Sequence, residues 1–449
     1  MKINHDRRRQ KPTIRTLHRT MRAVVCALWV LTTASCAHAA ASLTQLTWLP
    51  GDNFNYNTTG VSGDGSVVVG TSGHDLSGYG DFYRAFRWTA GSGMVSLGSS
   101  YDSFASGVSA DGSVIIVNDG GAFRWTAGTG LVGLGHLPGT TTSSATGVSA
   151  DGSVIVGTSY PDSGEQAFRW TAGSGMVGLG YLPGYTNSDA LAVSGNGSVV
   201  VGSSGYSGYQ QYVGAPGKYQ AFRWTAGSGM VGLGYLPGGT NSAATGASTD
   251  GSVVVGTSSS ASGVQAFRWT AGSGMVGLGY LPGGNSSSAT AVSGDGSIVV
   301  GSSYSASGNQ AFRWTAGSGM QSLWDLLVTN GFNIDPAEVL IASGISADGN
   351  TIVGSDYEED IDFTLEFGFV ATLPGLIGVS PALSINSWSS TAHHLVLSWS
   401  TNYSGCTLQS STDLGSTNWT DCASPAISGA SFVVTNSMSA GAQFFRLKR

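Results

Sequence analysis

His, Asp, Glu and Tyr side chains that interrupt an otherwise regular sequence are where chemistry would be sought in this chain, and three stretches supply them. Residues 73–84, GHDLSGYGDFYR, contribute His74, Asp75 and Asp81; residues 356–366, DYEEDIDFTLE, contribute Asp356 and Glu358 within a run of acids. Residues 205–220, GYSGYQQYVGAPGKYQ, contribute Tyr206, Tyr209, Tyr212 and Tyr219. Carboxylates brought together from two segments can exchange protons with a substrate or hold a cation. Tyrosines offer a flat apolar face with a polar tip, suited to a sugar ring or a protein surface. Each stretch also has a plainer reading, since a run of acids is ordinarily solvated and a loop tyrosine ordinarily anchors its own loop.

Other motifs fall to structure. GSGMVG at Gly173–Gly178 satisfies the glycine pattern of a dinucleotide site, and copies begin at Gly128, Gly227 and Gly272. A dinucleotide site needs that pattern to open a helix, so that helix-terminal amides meet the pyrophosphate. Here it joins two strands and recurs, so the sequence predicts a hairpin. The recurring Asp-Gly pairs lack the alternating oxygen ligands of a calcium loop and read as turns, with Asn196 serving equally well in one copy. His136 replaces a tyrosine of the repeat, and His393 and His394 are adjacent, hence on opposite faces of a strand. No catalytic constellation, metal set or cofactor site is expected.

What must position the three stretches is a repeat. QAFRWTAGSGMVGLGYLPG occurs at 166–184, 220–238 and 265–283, and Phe-Arg-Trp starts at Phe86, Phe123, Phe168, Phe222, Phe267 and Phe312. Between these stand turns at Asp64, Asp111, Asp151, Asn196, Asp250, Asp295 and Asp348, each followed by Gly. A period near 40–45 residues with strand patterning is the mark of propeller blades. Each unit divides into four short strands: two joined at the Asp-Gly and two at Ala-Gly-Ser-Gly. LTQLTWLPG precedes the first turn and matches the fourth strand of a unit, while FGFVATLPG follows the seventh turn with no fourth strand after it. The sequence therefore predicts a seven-bladed all-β propeller over 40–374, closed by an N-terminal strand that completes the last blade and leaves no open sheet edge. Strand alternation places the three divergent stretches on one face, with the blade-to-blade links.

AFRWTAGSGMVGLGYLPGG followed by SSATGVSADGSVVVG resembles the HAF-type extracellular repeat of secreted and surface proteins of bacteria. The resemblance covers roughly 43–373 and implies export and a repeated β-architecture, without a biochemical role. Residues 375–449 lose both landmarks. HLVLSWS, GCTLQSSTDL, NWTDC, SFVVTN and QFFRLKR read as strands of a small β-sandwich, and resemble the fibronectin-type-III-like modules that end many secreted bacterial proteins as spacers or attachment units.

The first 39 residues read as a secretory signal peptide: eight basic residues, the fourteen-residue apolar run AVVCALWVLTTASC, then a cut after Ala39. The run is short of the roughly twenty residues a spanning helix needs. Translation starts at Met1 or at Met21, which opens a compact signal of its own. Cleavage takes the net charge from −7 to −14, and six of the remaining arginines belong to Phe-Arg-Trp, so no basic stripe is left for nucleic acid. Cys406 and Cys422 then remain and are expected to form a disulfide outside the cell. Together these features describe a secreted or cell-surface propeller that binds an extracellular glycan or a surface protein without catalysis. The alternatives are an enzyme acting on polysaccharide through the carboxylates of the same face, or a purely structural surface component.

Overall fold

The computed structural model describes residues 41–373 except 77–79, 99–101, 162–163, 207–218, 335–338 and 361–362. Beyond 383 it describes the segments 384–389, 394–400, 407–411, 420–422, 426–428, 431–437 and 444–448. The expected signal peptide, residues 1–39, lies outside the described residues. The chain divides into two compact units, one of them residues 40–374.

The folding unit begins with a turn that three side chains build. In blade 3 the Asp151 carboxylate accepts from Ser149 Oγ (2.6 Å), Ser153 N–H (3.0 Å) and Ser153 Oγ (2.8 Å). Ser149 Oγ itself accepts from Val154 N–H at 3.0 Å. These donors, Ser149 first, hold the Asp151 carboxyl down at about 2. Gly152 follows at φ 68°, and a Cβ there would stand 2.4 Å from Val114 of the preceding blade. Both the left-handed backbone and the close approach therefore require glycine. Asn196 does the same work in blade 4, accepting from Ser194 and Ser198.

Each turn joins the inner strand of a four-stranded antiparallel sheet to its second strand, and seven such sheets make up residues 40–374. Blade 3 is representative: Thr140–Val148, Val154–Pro161, Gln166–Thr171 and Gly175–Gly178, hydrogen-bonded in that order. Its GSGMVG segment is the hairpin between the third and outer strands, with Gly175 at φ 65° and no helix following. The chain is thus a seven-bladed, all-β propeller. Blades 1 to 6 span residues 54–96, 104–133, 140–178, 187–234, 242–277 and 287–322. Blade 7 comprises Val339–Ile345, Thr351–Asp360, Phe363–Thr372 and, as its outer strand, Ser42–Leu46, which pairs Ser42 with Thr372 and Leu46 with Gly368.

Neighbouring blades are tied at three radii. Next to each Asp-Gly turn, backbone hydrogen bonds pass from blade to blade: Gly63 to Ala110, Ala110 to Ala150, Ala150 to Gly195, Asn196 to Thr249, Thr249 to Gly294 and Gly294 to Ala347, all 2.8–2.9 Å. Asp348 N–H to Gly63 C=O, at 3.4 Å, makes the seventh. Further out, the arginine of Phe-Arg-Trp reaches the next turn, as in Arg268 Nε to Gly296 C=O at 3.2 Å and Arg223 Nε to Gly251 C=O at 3.3 Å. Between these lies the apolar core. Val156, Ala167, Ala190, Val200 and Phe222 form one such cluster across blades 3 and 4. Phe86, Phe168, Phe222, Phe267 and Phe312 are fully buried, while Phe123 of blade 2 is only partly so; each buried ring is worth several kcal/mol, about 3–5, against truncation to Ala.

A seven-residue helix, Leu323–Thr329, not anticipated from the sequence, lies between blades 6 and 7, its N-terminus capped by Ser322 accepting from Asp325 N–H. Two further differences concern the divergent stretches. The residues read as loops at 73–84 and 356–366 are largely strand: Val68–Leu76 and Gly80–Thr89 stay in register to Leu76 opposite Gly80, and blade 7 to Asp360 opposite Phe363. Continuing the ladder satisfies backbone groups that a loop would leave to water.

Residues 384–448 contain two sheets. One orders Ser384–Ser389, His394–Ser400, Ser431–Ser437 and Ala426–Ser428; the other orders Thr420–Asp421, Thr407–Ser411 and Phe444–Lys448. No disulfide occurs among the described residues: Cys422 is a free, half-buried thiol whose pKa is raised by burial, and Cys406 lies outside them.

Candidate functional site

The hairpins between second and third strands and the blade-to-blade links emerge at the end of the ring opposite the Asp-Gly turns. The sequence-predicted residues fall there in two groups. In the first, blades 1 and 7 are neighbours, joined by Thr58 Oγ1 to Gly354 C=O (2.6 Å) and Ser343 Oγ to Thr58 C=O (2.5 Å). His74 lies opposite Phe82 on the blade 1 hairpin, and its Nδ1 is buried with no partner among the described residues. Arg84, at the base of that hairpin, forks onto the buried Asp52 and onto Pro50 C=O (3.1 Å), clamping the incoming link. Asp75 pairs with Asp81, Asp356 with Phe367, and Glu358 with Leu365 along the two ladders. The side chains of these four acids lie outside the described residues.

The second group is aromatic. Tyr206 directly follows the second strand of blade 4, Val199–Gly205; it is 57 % exposed, its ring 5.0 Å from that of Tyr185 and inclined at 58°. The Tyr185 hydroxyl is 3.2 Å from that of Tyr235, on the next link. Burial, then the Tyr185 hydrogen bond, raises the Tyr235 phenol well above its ordinary range. Tyr181 is exposed on the same link as Tyr185. Tyr219 opens the third strand, half-buried. Tyr209 and Tyr212 lie outside the described residues. The resulting wall of tyrosines is drawn from two links and one hairpin.

Two functional candidates escaped the sequence reading. Glu165, just before the third strand of blade 3, lies near enough to Asp189 on the inner strand of blade 4 for its charge to act on that carboxyl, and Ser188 N–H donates to Glu165 C=O at 3.0 Å. Thr158 Oγ1 donates to Asp189 at 3.1 Å, and the Tyr160 phenol is close enough to feel both charges. Burial first, then the charge of Glu165, pushes Asp189 up to about 6, although the Thr158 hydroxyl pulls the other way. The signal was present: in the aligned repeats Glu165 falls where later copies carry Tyr219, Val264 and Asn309, and Asp189 falls where they carry Ala243 and Ser288. Each is a single substitution, one beside a strand and one within a strand, less conspicuous than a lengthened link.

No family model and no curated protein matches the chain. Among solved structures it is similar to TolB from Acinetobacter baumannii, 13 % identical, TM-score 0.41, with 58 % of this chain and 63 % of that one aligned. It is also similar to an oligogalacturonate lyase in complex with manganese, 13 % identical, TM-score 0.47, covering 75 % of this chain and 97 % of that one. An oligogalacturonate lyase from Vibrio parahaemolyticus aligns over the same shares at 11 % identity and TM-score 0.47. No helix among the described residues is long and apolar enough to cross a membrane.

Proposed function

We propose that the propeller is an exported binding module whose link face takes an extracellular glycan, with the wall formed by Tyr185, Tyr206 and Tyr235 as the platform. The observation that carries this is the exposed Tyr206 ring, held at 5.0 Å by a second tyrosine that is itself hydrogen-bonded to a third. A pre-ordered aromatic surface with hydroxyl tips suits the apolar face and the hydroxyls of a sugar, and loses little conformational freedom on binding. The same reading takes Ser42–Leu46 as the clasp that closes the ring. It takes residues 375–449 as a fibronectin-III-like attachment module, residues 1–39 as the export signal, and the repeats as HAF-type. The blade 1 and blade 7 hairpins, with His74, Asp75, Asp81, Asp356 and Glu358, form the rest of the face.

A glycan array probed with the chain lacking residues 1–39, alongside Tyr206→Ala, tests the platform. Binding should fall at least about tenfold in the variant, equivalent to about 1.4 kcal/mol, with an unchanged melting temperature, because exposed substitutions stay within about 0.5 kcal/mol. Equal binding by both proteins, or none by either, refutes the platform. Release of new reducing ends from polysaccharides in the same panel would favour an enzyme.

A further inference from the structure

The ring supplies an internal control for the contact between Glu165 and Asp189. The same two positions at the junction of blades 1 and 2 hold Tyr83 and Phe104, whose rings stack 5.3 Å apart. At the junction of blades 5 and 6 they hold Val264 and Ser288. A carboxyl pair there replaces an ordinary packing contact with like charges, and no Lys or Arg is paired with either acid among the described residues. Two half-buried carboxylates in contact are costly unless something positive lies between them.

A third oxygen stands beside them. Asn187 precedes Asp189 by two residues on the inner strand, hence on the same face. It is only 8 % exposed, and its Oδ1 has no partner among the described residues. That oxygen is aimed at the link that carries Glu165, since a Cβ built on Gly164 would lie 3.0 Å from it. Ser188 N–H donates to Glu165 C=O at 3.0 Å, which fixes the link between Asn187 and Asp189. At the junction that holds the two acids the asparagine oxygen is left unsatisfied among the described residues, whereas the equivalent Asn241 in blade 5 is partnered.

We infer that Glu165, Asp189 and Asn187 hold a divalent hard cation of the calcium class, bridging blades 3 and 4 at the link face. Two carboxylates and an amide carbonyl are the oxygen donors such an ion takes, and one ion would neutralise the acids and satisfy Asn187 together. The Thr158 hydroxyl orients Asp189 from behind, and water completes the shell. Ligands drawn from two blades form an irregular set, which suits calcium, whereas magnesium demands a near-ideal octahedron. The site stands apart from the glycan reading, because the ion is measured with no sugar present.

The test uses the whole chain lacking residues 1–39, stripped of metal, and tyrosine-sensitised terbium luminescence displaced by calcium. One saturable site should appear, with a calcium Kd on the order of 10⁻⁴–10⁻³ M, as in extracellular modules, and magnesium at the same concentration should displace little terbium. The double variant Glu165→Gln/Asp189→Asn should weaken calcium at least about tenfold while keeping its far-ultraviolet spectrum. Asp75→Asn/Glu358→Gln, which alters the other acids of the face, should leave the titration unchanged. No saturable signal overturns the inference; so does a signal kept by the first variant, or one lost only in the second.

Discussion

Asp189→Asn isolates what the carboxyl pair costs the fold when no cation is present. The substitution keeps the shape of the side chain and an oxygen for the Thr158 hydroxyl, and adds an N–H that can donate to Glu165, while removing the titrating proton. In the folded chain the Asp189 carboxyl is pushed from 3.8 up to about 6, chiefly by burial. A carboxyl with a raised folded pKa binds its proton more tightly folded than unfolded. Its contribution is neutral below about pH 4, turns against folding as pH rises to about 6, and stays constant above that. At about 1.4 kcal/mol per unit the full penalty is about 3 kcal/mol. For a ring this large that corresponds to roughly 3–6 °C in melting temperature, taking the lower end of the usual conversion. Melting curves in EDTA from about pH 3.5 to 8 should start close together and separate, with the variant more stable and the gap level above about pH 6.5. A variant that melts at or below the parent at pH 8, or a gap that does not change with pH, would refute the reasoning.

Two further outcomes follow from the same structure. Deleting residues 42–50 removes the outer strand paired with Phe363–Thr372 and buried Leu46 and Leu49; the truncated ring should melt well below the parent and aggregate, as checked by calorimetry and light scattering. If Cys406 and Cys422 form the disulfide expected from the sequence, protein secreted into an oxidising medium and unfolded without reductant should take up no thiol reagent; uptake of two equivalents would refute that expectation.

Much of the fold is local in origin and could be read directly. Ser-x-Asp-Gly-Ser encloses its own turn: every donor to Asp151 lies within two residues of it, so its five copies, with the variants Ser-Gly-Asn-Gly-Ser at 194–198 and Ser-Ala-Asp-Gly-Asn at 346–350, mark seven blades. Val-Val-Val-Gly reads as a short strand buried on both faces and Ala-Phe-Arg-Trp-Thr alternates aromatic with polar residues, and Gly157 is needed because a Cβ would stand 2.0 Å from Ser144 C=O. Tyr206 was legible as part of a link that outgrew its copies, and His74 likewise, although both hairpins of blades 1 and 7 prolong their strands where the sequence suggested loops.

What sequence could not supply is what one blade shows the next. Tyr185 and Tyr235 are fifty residues apart and meet only because successive links converge on one end of the ring. Glu165 and Asp189 belong to different repeats, and their contact depends on how far one twisted sheet is rotated against its neighbour. Strand periodicity fixes which face of its own sheet a residue occupies and carries no record of that rotation. The same two positions therefore become a stacked aromatic pair at one junction and a carboxyl pair at another, and only the packing of whole blades brings the residues into contact.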